Sequence, residues 1–186
     1  RGAIDILCGP TTQTLQRRAA MDFSIPYFID GSSVVYRAGE AETIEDLVGR
    51  RVGYLAGTTT AGIVVRLLEE RGVDATTVTY NTHVDGLTAL ADGEIAAYFG
   101  DQAILRYQLG RMRPLTPLKF SAEQFSFEPY ALALGRGESR FRLIVDNALS
   151  QTFTNGDIYE HINKALGEVT LSDLALAVYP IVALPA

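Results

Sequence analysis

Two patterns of hydrophobic positions alternate along the chain. Short runs of apolar or β-branched residues predict strands, at 4–8, 32–37, 51–55, 76–80, 95–99 and 125–134. Longer segments whose apolar residues recur every three or four positions predict helices, at 43–48, 60–71, 84–91, 101–109, 139–153, 157–166 and 171–179. The proline-containing segment 111–119 is predicted to be a loop. Strands and helices that alternate through short links predict an α/β fold with a parallel sheet.

A strand end, hydroxyl groups and guanidinium groups converge in the stretch 8–27. Turn residues at 9–10 end the first predicted strand, which we expect to be buried. Several threonines follow, and any of them can cap the first turn of a short helix that carries Arg17 and Arg18. Pro26 holds the end of the stretch extended. Free backbone N–H groups, hydroxyls and a guanidinium bind small anions, so we predict a site for a group such as a carboxylate.

Composition excludes several classes of function. Of 186 residues, 47% are hydrophobic and 20% are charged, which is typical of a globular protein. The 16 basic and 22 acidic residues give a net charge of −6 without a basic block, so we expect no nucleic-acid partner. No apolar run approaches the ~20 residues of a membrane span. The chain begins at Arg1 without a signal peptide, so we expect a processed or trimmed product. Its one cysteine fits a reducing compartment and is also compatible with the periplasm.

Several motifs, taken in their joint order, resemble one family. They are Gly9-x-Thr11-Thr12-x-Thr14-x-x-Arg17, Asp22-Phe23-Ser24-x-Pro26-Tyr27, VGYLAGTTT at 52–60, GEIAAYFGD at 93–101, EPYALAL at 128–134 and the apolar tail at 171–185. Together they are similar to the bacterial extracellular solute-binding proteins of family 3, which bind polar amino acids. The resemblance covers nearly the whole chain.

The resemblance implies an α/β, two-lobe type 2 periplasmic-binding-protein fold with a hinge. The first lobe would comprise 1–40 and 129–186, and the second lobe 41–128. Family members carry a further strand–helix–strand–helix portion ahead of the position of Gly2, so the first lobe is expected to be incomplete. A lobe without that portion would expose apolar strand faces. We therefore expect a dimer through the incomplete first lobe or a piece of a longer protein, with weak and poorly selective binding.

In the first lobe, the resemblance implies three ligand-binding residues. Arg17 matches the arginine that binds the ligand α-carboxylate, and a planar guanidinium suits bidentate capture of that group. Thr12 matches a ligand-contacting threonine, although it can also cap the helix. Pro10 lies where a backbone carbonyl meets the ligand amine. Arg18 is expected to be solvated, because neighbouring helix residues do not share a face.

In the second lobe, Thr58 and Thr59 lie between a predicted strand and a predicted helix, where free N–H groups favour an anion. The resemblance implies that they meet the same carboxylate, although a simple helix cap explains them too. Asp101 begins a helix and matches the carboxylate that binds the ligand ammonium. An arginine for the carboxylate and an aspartate for the ammonium would recognise a zwitterion at both ends.

Other reactive side chains point to ordinary structural roles. Cys8 is expected to be a small core residue. His83 and His161 have no ligand-type partners nearby in sequence, so we expect no metal, no cofactor and no catalytic histidine. Tyr27 and Tyr130 can line the cleft or pack in the core or hinge.

The resulting prediction is an amino-acid receptor of an ABC importer, which works in the periplasm or outside the cell and docks on permease subunits. Its ligand would be a free amino acid or a similar small zwitterion. Two alternatives use the same fold. One is a dehydratase of prephenate or arogenate, which would need a general acid or base in the cleft. The other is the ligand-sensing domain of a receptor.

Overall fold

The computed structural model describes residues 4–166 and 173–185. In chain order its elements are β1 (Ile6–Leu7), α1 (Leu15–Arg18), β2 (Asp22–Asp30), β3 (Ser32–Arg37), a 3-10 turn (Glu45–Leu47), β4 (Arg51–Leu55), α2 (Thr59–Arg71), β5 (Thr76–Tyr80), α3 (His83–Asp92), β6 (Ala97–Asp101), α4 (Gln102–Met112), β7 (Leu118–Phe120), β8 (Glu128–Leu134), α5 (Ser139–Thr154), α6 (Asp157–Leu166) and α7 (Asp173–Val182). This order of helices and strands confirms the predicted α/β class.

The chain divides into two compact units. The first unit consists of Arg1–Ile29 and Glu128–Ala186, and the second consists of Asp30–Phe127. Residues 30–40, which the sequence prediction assigned to the first lobe, therefore lie in the second unit. They lie there because β3 pairs with β6 and β7.

The second unit contains a five-stranded sheet in the order β5-β4-β6-β3-β7. β4 is parallel to β5 and to β6, as the alternation of strands and helices predicted. β3 is antiparallel to both of its neighbours, so the prediction of a parallel sheet does not hold for this strand. The reason is that β3 enters directly from β2, which belongs to the other sheet, and no helical crossover fixes its direction.

Helices cover both faces of this sheet. Along β3 the side chains alternate: Val34 and Tyr36 pack into the core that contains the apolar face of α2, and Val35 packs into the core that contains α3. Gly86 lies against the ring of Tyr98, where there is no space for a β-carbon. α3 therefore packs directly on the strand that leads to Asp101.

The first unit contains a three-stranded sheet in the order β1-β8-β2. Residues of α5, α6 and α7 form its larger core with residues of β2: Phe153, Ile158, Ile162 and Tyr179 with Ile25, Tyr27 and Phe28. β2 is nine residues long and was not predicted as a strand. It contains Pro26, which lacks a donor for the ladder, and it accommodates this proline because β2 lies at the edge of the sheet.

The predicted buried strand at 4–8 is wrong in both length and burial. β1 has two residues, and Ile4 and Leu7 are 69% and 47% exposed. Cys8, predicted to be a core residue, is exposed. The cause is position: β1 is an edge strand that pairs with β8 alone, with Ile6 opposite Leu134.

Two further segments differ from prediction. The predicted loop 111–119 contains the end of α4 and the short strand β7, which pairs with β3. α7 continues through Pro180, although the prediction ended the helix before it. Residues 171 and 172 of the predicted last helix lie outside the described residues.

Candidate functional site

In the first unit, the loop after β1 is held against β8 by backbone hydrogen bonds. The amide of Gln13 donates to the carbonyl oxygen of Pro129 at 2.8 Å, and the amide of Ala131 donates to the carbonyl oxygen of Thr11 at 3.1 Å. The hydroxyl of Tyr27 donates to the carbonyl oxygen of Gly9 at 2.9 Å. These bonds fix the backbone on both sides of the exposed Pro10.

Arg17 lies against the same loop. Its Nη1 donates to the carbonyl oxygen of Thr12 at 2.8 Å, so two of the predicted ligand-binding residues are in contact. Thr14, rather than Thr12, caps α1, because its Oγ1 accepts from the Arg17 amide at 3.1 Å. Thr12 is buried and forms an isolated β-bridge with Tyr130. Because Thr14 caps α1, the hydroxyl of Thr12 is not needed as the helix cap.

Arg17 is half-buried, whereas Arg18 is exposed. In the described part of the chain, none of the ion pairs involves Arg17. A half-buried cation whose one side-chain bond goes to a backbone carbonyl retains donors for an anion.

In the second unit, the predicted threonines lie at the start of α2. Gly57 makes the turn with φ +73°, a left-handed conformation that favours glycine. Thr58 stands at the N-cap position without a side-chain capping bond, and its Oγ1 donates to the carbonyl oxygen of Leu55 at 2.8 Å. Thr59 is the first helical residue. The hydroxyl of Thr58 therefore does not cap α2.

Asp101 ends β6 and contacts two hydroxyls. Thr60 Oγ1 donates to Asp101 Oδ1 at 3.0 Å, and Ser32 Oγ lies 3.5 Å from the same oxygen and 3.1 Å from Thr60 Oγ1. All three residues are buried. Sheet register explains one contact, since Ser32 is the residue opposite Asp101 in the β3–β6 pair. The other depends on Thr60 lying in the first turn of α2.

Asp101 precedes α4 at the N-cap position but makes no side-chain capping bond. Asp30 supplies the cap instead. Its Oδ1 and Oδ2 accept from the amide of Ala103 at 3.2 and 3.1 Å, and its Oδ1 also accepts from the amide of Gly31 at 2.9 Å.

His83 is a half-buried titratable side chain on which the charge of Asp101 acts. Burial lowers its pKa from the ordinary value of 6.5, and the negative charge of Asp101 acts in the opposite direction. Its Nδ1 lies 3.2 Å from the hydroxyl of Tyr98. Burial raises the pKa of that hydroxyl, as the nearby Tyr80 and Asp85 do to a smaller extent. The sequence did not suggest that His83 lies near Asp101.

Sequence reasoning missed three residues around Asp101, namely Asp30, Ser32 and Thr60. One signal was available for Thr60, which directly follows the predicted pair Thr58 and Thr59. The other two depend on pairing between β3 and β6, which are far apart in sequence. No group of three or more potential metal ligands occurs among the described residues. Within the same residues, no helix is both long and apolar enough to cross a membrane.

The comparisons with known proteins agree with this architecture. Residues 1–168 match the family described as bacterial extracellular solute-binding proteins, family 3. The chain belongs to this family. Its recognition from sequence motifs is therefore confirmed, and so is the type 2 periplasmic-binding fold with a partial lobe.

Individual members of family 3 are distant in sequence. An L-glutamate/L-aspartate-binding protein from Pseudomonas aeruginosa is 24% identical over 88% of this chain and 54% of its own length. A glutamine-binding protein of an ABC transporter from Bacillus subtilis is 27% identical over 88% of this chain and 58% of its own length. An ancestral arginine-binding protein bound to glutamine has a TM-score of 0.77 and 28% identity, over 90% of this chain and 73% of that one. The chain thus spans about half the length of the curated relatives it matches.

Proposed function

We propose that this chain is an amino-acid receptor of an ABC importer, and that the ligand binds in a cleft between the two lobes. Arg17, Thr12, Thr58 and Thr59 bind its α-carboxylate, and Asp101 and the carbonyl of Pro10 bind its α-ammonium. The receptor works outside the cytoplasm and delivers the ligand to permease subunits. Because the chain spans about half of its relatives, this activity is proposed for the protein of which these residues form the whole or a part.

The observation that carries the proposal is the environment of Arg17. A half-buried guanidinium is costly to desolvate, and an oppositely charged partner offsets that cost. In the described residues this partner is not a carboxylate of the chain. A ligand carboxylate fits the position, because the contact with the Thr12 carbonyl fixes one end of the guanidinium and leaves further N–H groups for a bidentate pair.

Asp101 supports the recognition of an ammonium. Its carboxylate is buried, with the hydroxyls of Thr60 and Ser32 at its Oδ1. Hydroxyl donors orient a carboxylate, and an oriented carboxylate can accept charge-assisted hydrogen bonds from an ammonium group. The names of the relatives support this ligand class, since they bind glutamate or aspartate, glutamine and arginine, whose shared groups are the α-carboxylate and the α-ammonium.

A screen of the twenty amino acids by thermal shift tests the proposal on this chain. A ligand that binds only the folded state raises the unfolding temperature, and this rise increases with the ligand concentration. We expect at least one amino acid to do so, and we expect its decarboxylated and deaminated analogues to raise the unfolding temperature less at equal concentration. Stabilisation by neither an amino acid nor another zwitterion would refute the proposal. Formation of product from prephenate or arogenate would instead indicate the dehydratase alternative.

We also propose that the first unit self-associates through β1. Leu7 of β1 and Ile4 just before it are exposed, and the outer edge of β1 is unpaired within the described sheet. Open apolar strand edges pair readily with another chain. A second copy would add its own β1 to this edge.

A further inference from the structure

The buried hydroxyls of Ser32 and Thr60 form a short chain that ends on the Asp101 carboxylate. Thr60 Oγ1 is 3.0 Å from Asp101 Oδ1, and Ser32 Oγ is 3.1 Å from Thr60 Oγ1. We propose that Ser32 and Thr60 are positioning residues, which hold the Asp101 carboxylate in the orientation that binds the ligand ammonium. This inference rests on the proposed function and names residues that its ligand contacts do not include.

The direction of the hydrogen bonds follows from counting protons. Each hydroxyl has one proton to donate, whereas an ionised carboxylate only accepts. Thr60 donates to Asp101, so the bond between the two hydroxyls is donated by Ser32. The alternative contact from Ser32 to Asp101 is longer, at 3.5 Å. Thr60 is therefore the direct support of Asp101, and Ser32 supports Thr60.

Asp30 takes the capping position that the Asp101 carboxylate would otherwise occupy. An aspartate before a helix ordinarily turns its carboxylate onto the amide of the second or third helical residue. For α4 the amide of the second residue, Ala103, donates to Asp30, and Asp101 makes no capping bond. Asp101 is thus not drawn onto its own helix, and its Oδ1 accepts from the hydroxyl of Thr60.

The three residues also come from three different elements. Ser32 lies on β3, Thr60 on α2 and Asp101 at the end of β6. Both hydroxyl-bearing residues are at most 2% exposed. Supports that are locked by packing can hold a charged group within the narrow geometry that recognition requires.

The test compares affinity for an amino acid with affinity for the analogue that lacks only the ammonium. Calorimetry would use L-glutamate against glutarate and L-glutamine against glutaramate, on this chain and its variants. Thr60→Val keeps the shape of the side chain and removes the hydroxyl, and Thr60→Ser keeps the hydroxyl. A hydrogen bond to a charged group predicts about a 10- to 100-fold loss of amino-acid affinity in Thr60→Val. The affinity for the deaminated analogue should stay unchanged, and Thr60→Ser should restore the wild-type ratio.

Ser32 offers a matched pair on one strand. We expect Ser32→Ala to weaken amino-acid binding by a smaller factor than Thr60→Val, because its contact is indirect. Ser33→Ala is the control: Ser33 is fully buried, and its Oγ has no hydrogen-bond partner in the described structure. It should bind both ligands as the wild type does.

Two results would overturn the inference and leave the proposed function standing. In one, Asp101→Ala loses amino-acid binding and Thr60→Val retains it. In the other, Thr60→Val weakens the amino acid and its analogue equally, which is the behaviour of a merely structural residue. If the wild-type chain binds none of the amino acids in the screen, the proposed function fails first and this inference fails with it.

Discussion

Asp30 caps helix α4 through the amide of Ala103, with both carboxylate oxygens within 3.2 Å of that nitrogen. The capping residue is thus more than seventy positions away in sequence, and the aspartate that directly precedes the helix is left to contact hydroxyls.

Replacement of this cap should destabilise the second unit. Asp30→Ala removes the acceptor for the Ala103 and Gly31 amides, so we expect the free energy of unfolding to fall by about 1–2 kcal/mol. Urea denaturation measures this change. Asp74→Ala, at an exposed aspartate, is the control and should leave stability within about 0.5 kcal/mol of the wild type. Equal stability of the two variants would contradict the capping role.

Arg17 and Arg18 form a matched pair for ligand binding. Truncation of one partner in a desolvated charge pair costs about 2–5 kcal/mol, so Arg17→Ala should weaken amino-acid binding at least ~30-fold. Arg18→Ala, at the exposed neighbour, should bind as the wild type does. Calorimetry on both variants measures the difference, and an unchanged affinity in Arg17→Ala would show that the carboxylate binds elsewhere.

His83 reports on the charge of Asp101. Since that charge raises the pKa of His83 against the larger effect of burial, Asp101→Asn should lower the pKa of His83 further. NMR titration of the ring protons measures this shift. The chain has two histidines, so His161 serves as the reference within the same sample. A rise in the His83 pKa, or equal shifts at both histidines, would contradict the arrangement around Asp101.

The same histidine should make stability depend on pH. Its pKa is lower in the folded chain than the ordinary 6.5, so between these two values the unfolded chain binds more protons. Stability therefore falls as the pH drops below 6.5 through the folded pKa, and above 6.5 this contribution is constant. His83→Gln should reduce the loss of stability in that window, as urea denaturation at a series of pH values would reveal. An unchanged pH profile would mean that His83 is accessible enough to titrate normally.

The boundaries of the second unit can be tested by two fragments. Fragment 30–127 contains β3, whose residues Val34, Val35 and Tyr36 are buried between helices on both faces of the sheet. Fragment 41–128 lacks that strand and separates β6 from β7. We expect cooperative unfolding for the first fragment and aggregation or a loss of cooperativity for the second. Cooperative unfolding of both fragments with equal midpoints would support the predicted boundary at residue 41.

Self-association through β1 predicts a specific effect of charge. Leu7→Lys places a charge on the exposed strand, and charged residues on strand edges oppose pairing with another chain. We expect light scattering to report a dimer for the wild type and a monomer for Leu7→Lys. Leu115→Lys is the control, because Leu115 is fully exposed and lies in the second unit. A monomeric wild type would refute self-association through β1.

The sequence predicted well those helices and strands whose bounds depend on residues close in sequence. The helices predicted at 60–71 and 84–91 end within one residue of the predicted positions, where Gly72 and Gly93 adopt the left-handed conformation. Strand β5 and helix α6 have the predicted bounds, 76–80 and 157–166. In each case, the residues that set the structure lie within a few positions of it.

Features that depend on distant pairing were not predictable in the same way. The apolar character of 4–8 is that of a core strand, but burial requires covering elements that a local pattern does not reveal. Likewise, the motif at 93–101 pointed to Asp101 as a candidate ligand-binding residue, while its contacts Ser32 and Thr60 depend on sheet register and helix placement. The motif therefore suggested the candidate residue, whereas the residues that contact it were visible only in the structure.

The pairing of Ile6 with Leu134 has a consequence for how the protein is made. The second unit is inserted in sequence between the two parts of the first, so the ribosome completes it before β8 emerges. Closing a chain loop costs more entropy the longer the loop is, and a folded insert shortens the effective loop between β1 and β8. During synthesis, β1 must therefore remain without its partner until the inserted unit has been translated. Throughout this interval, the edge of β1 that later pairs with β8 is open to other contacts.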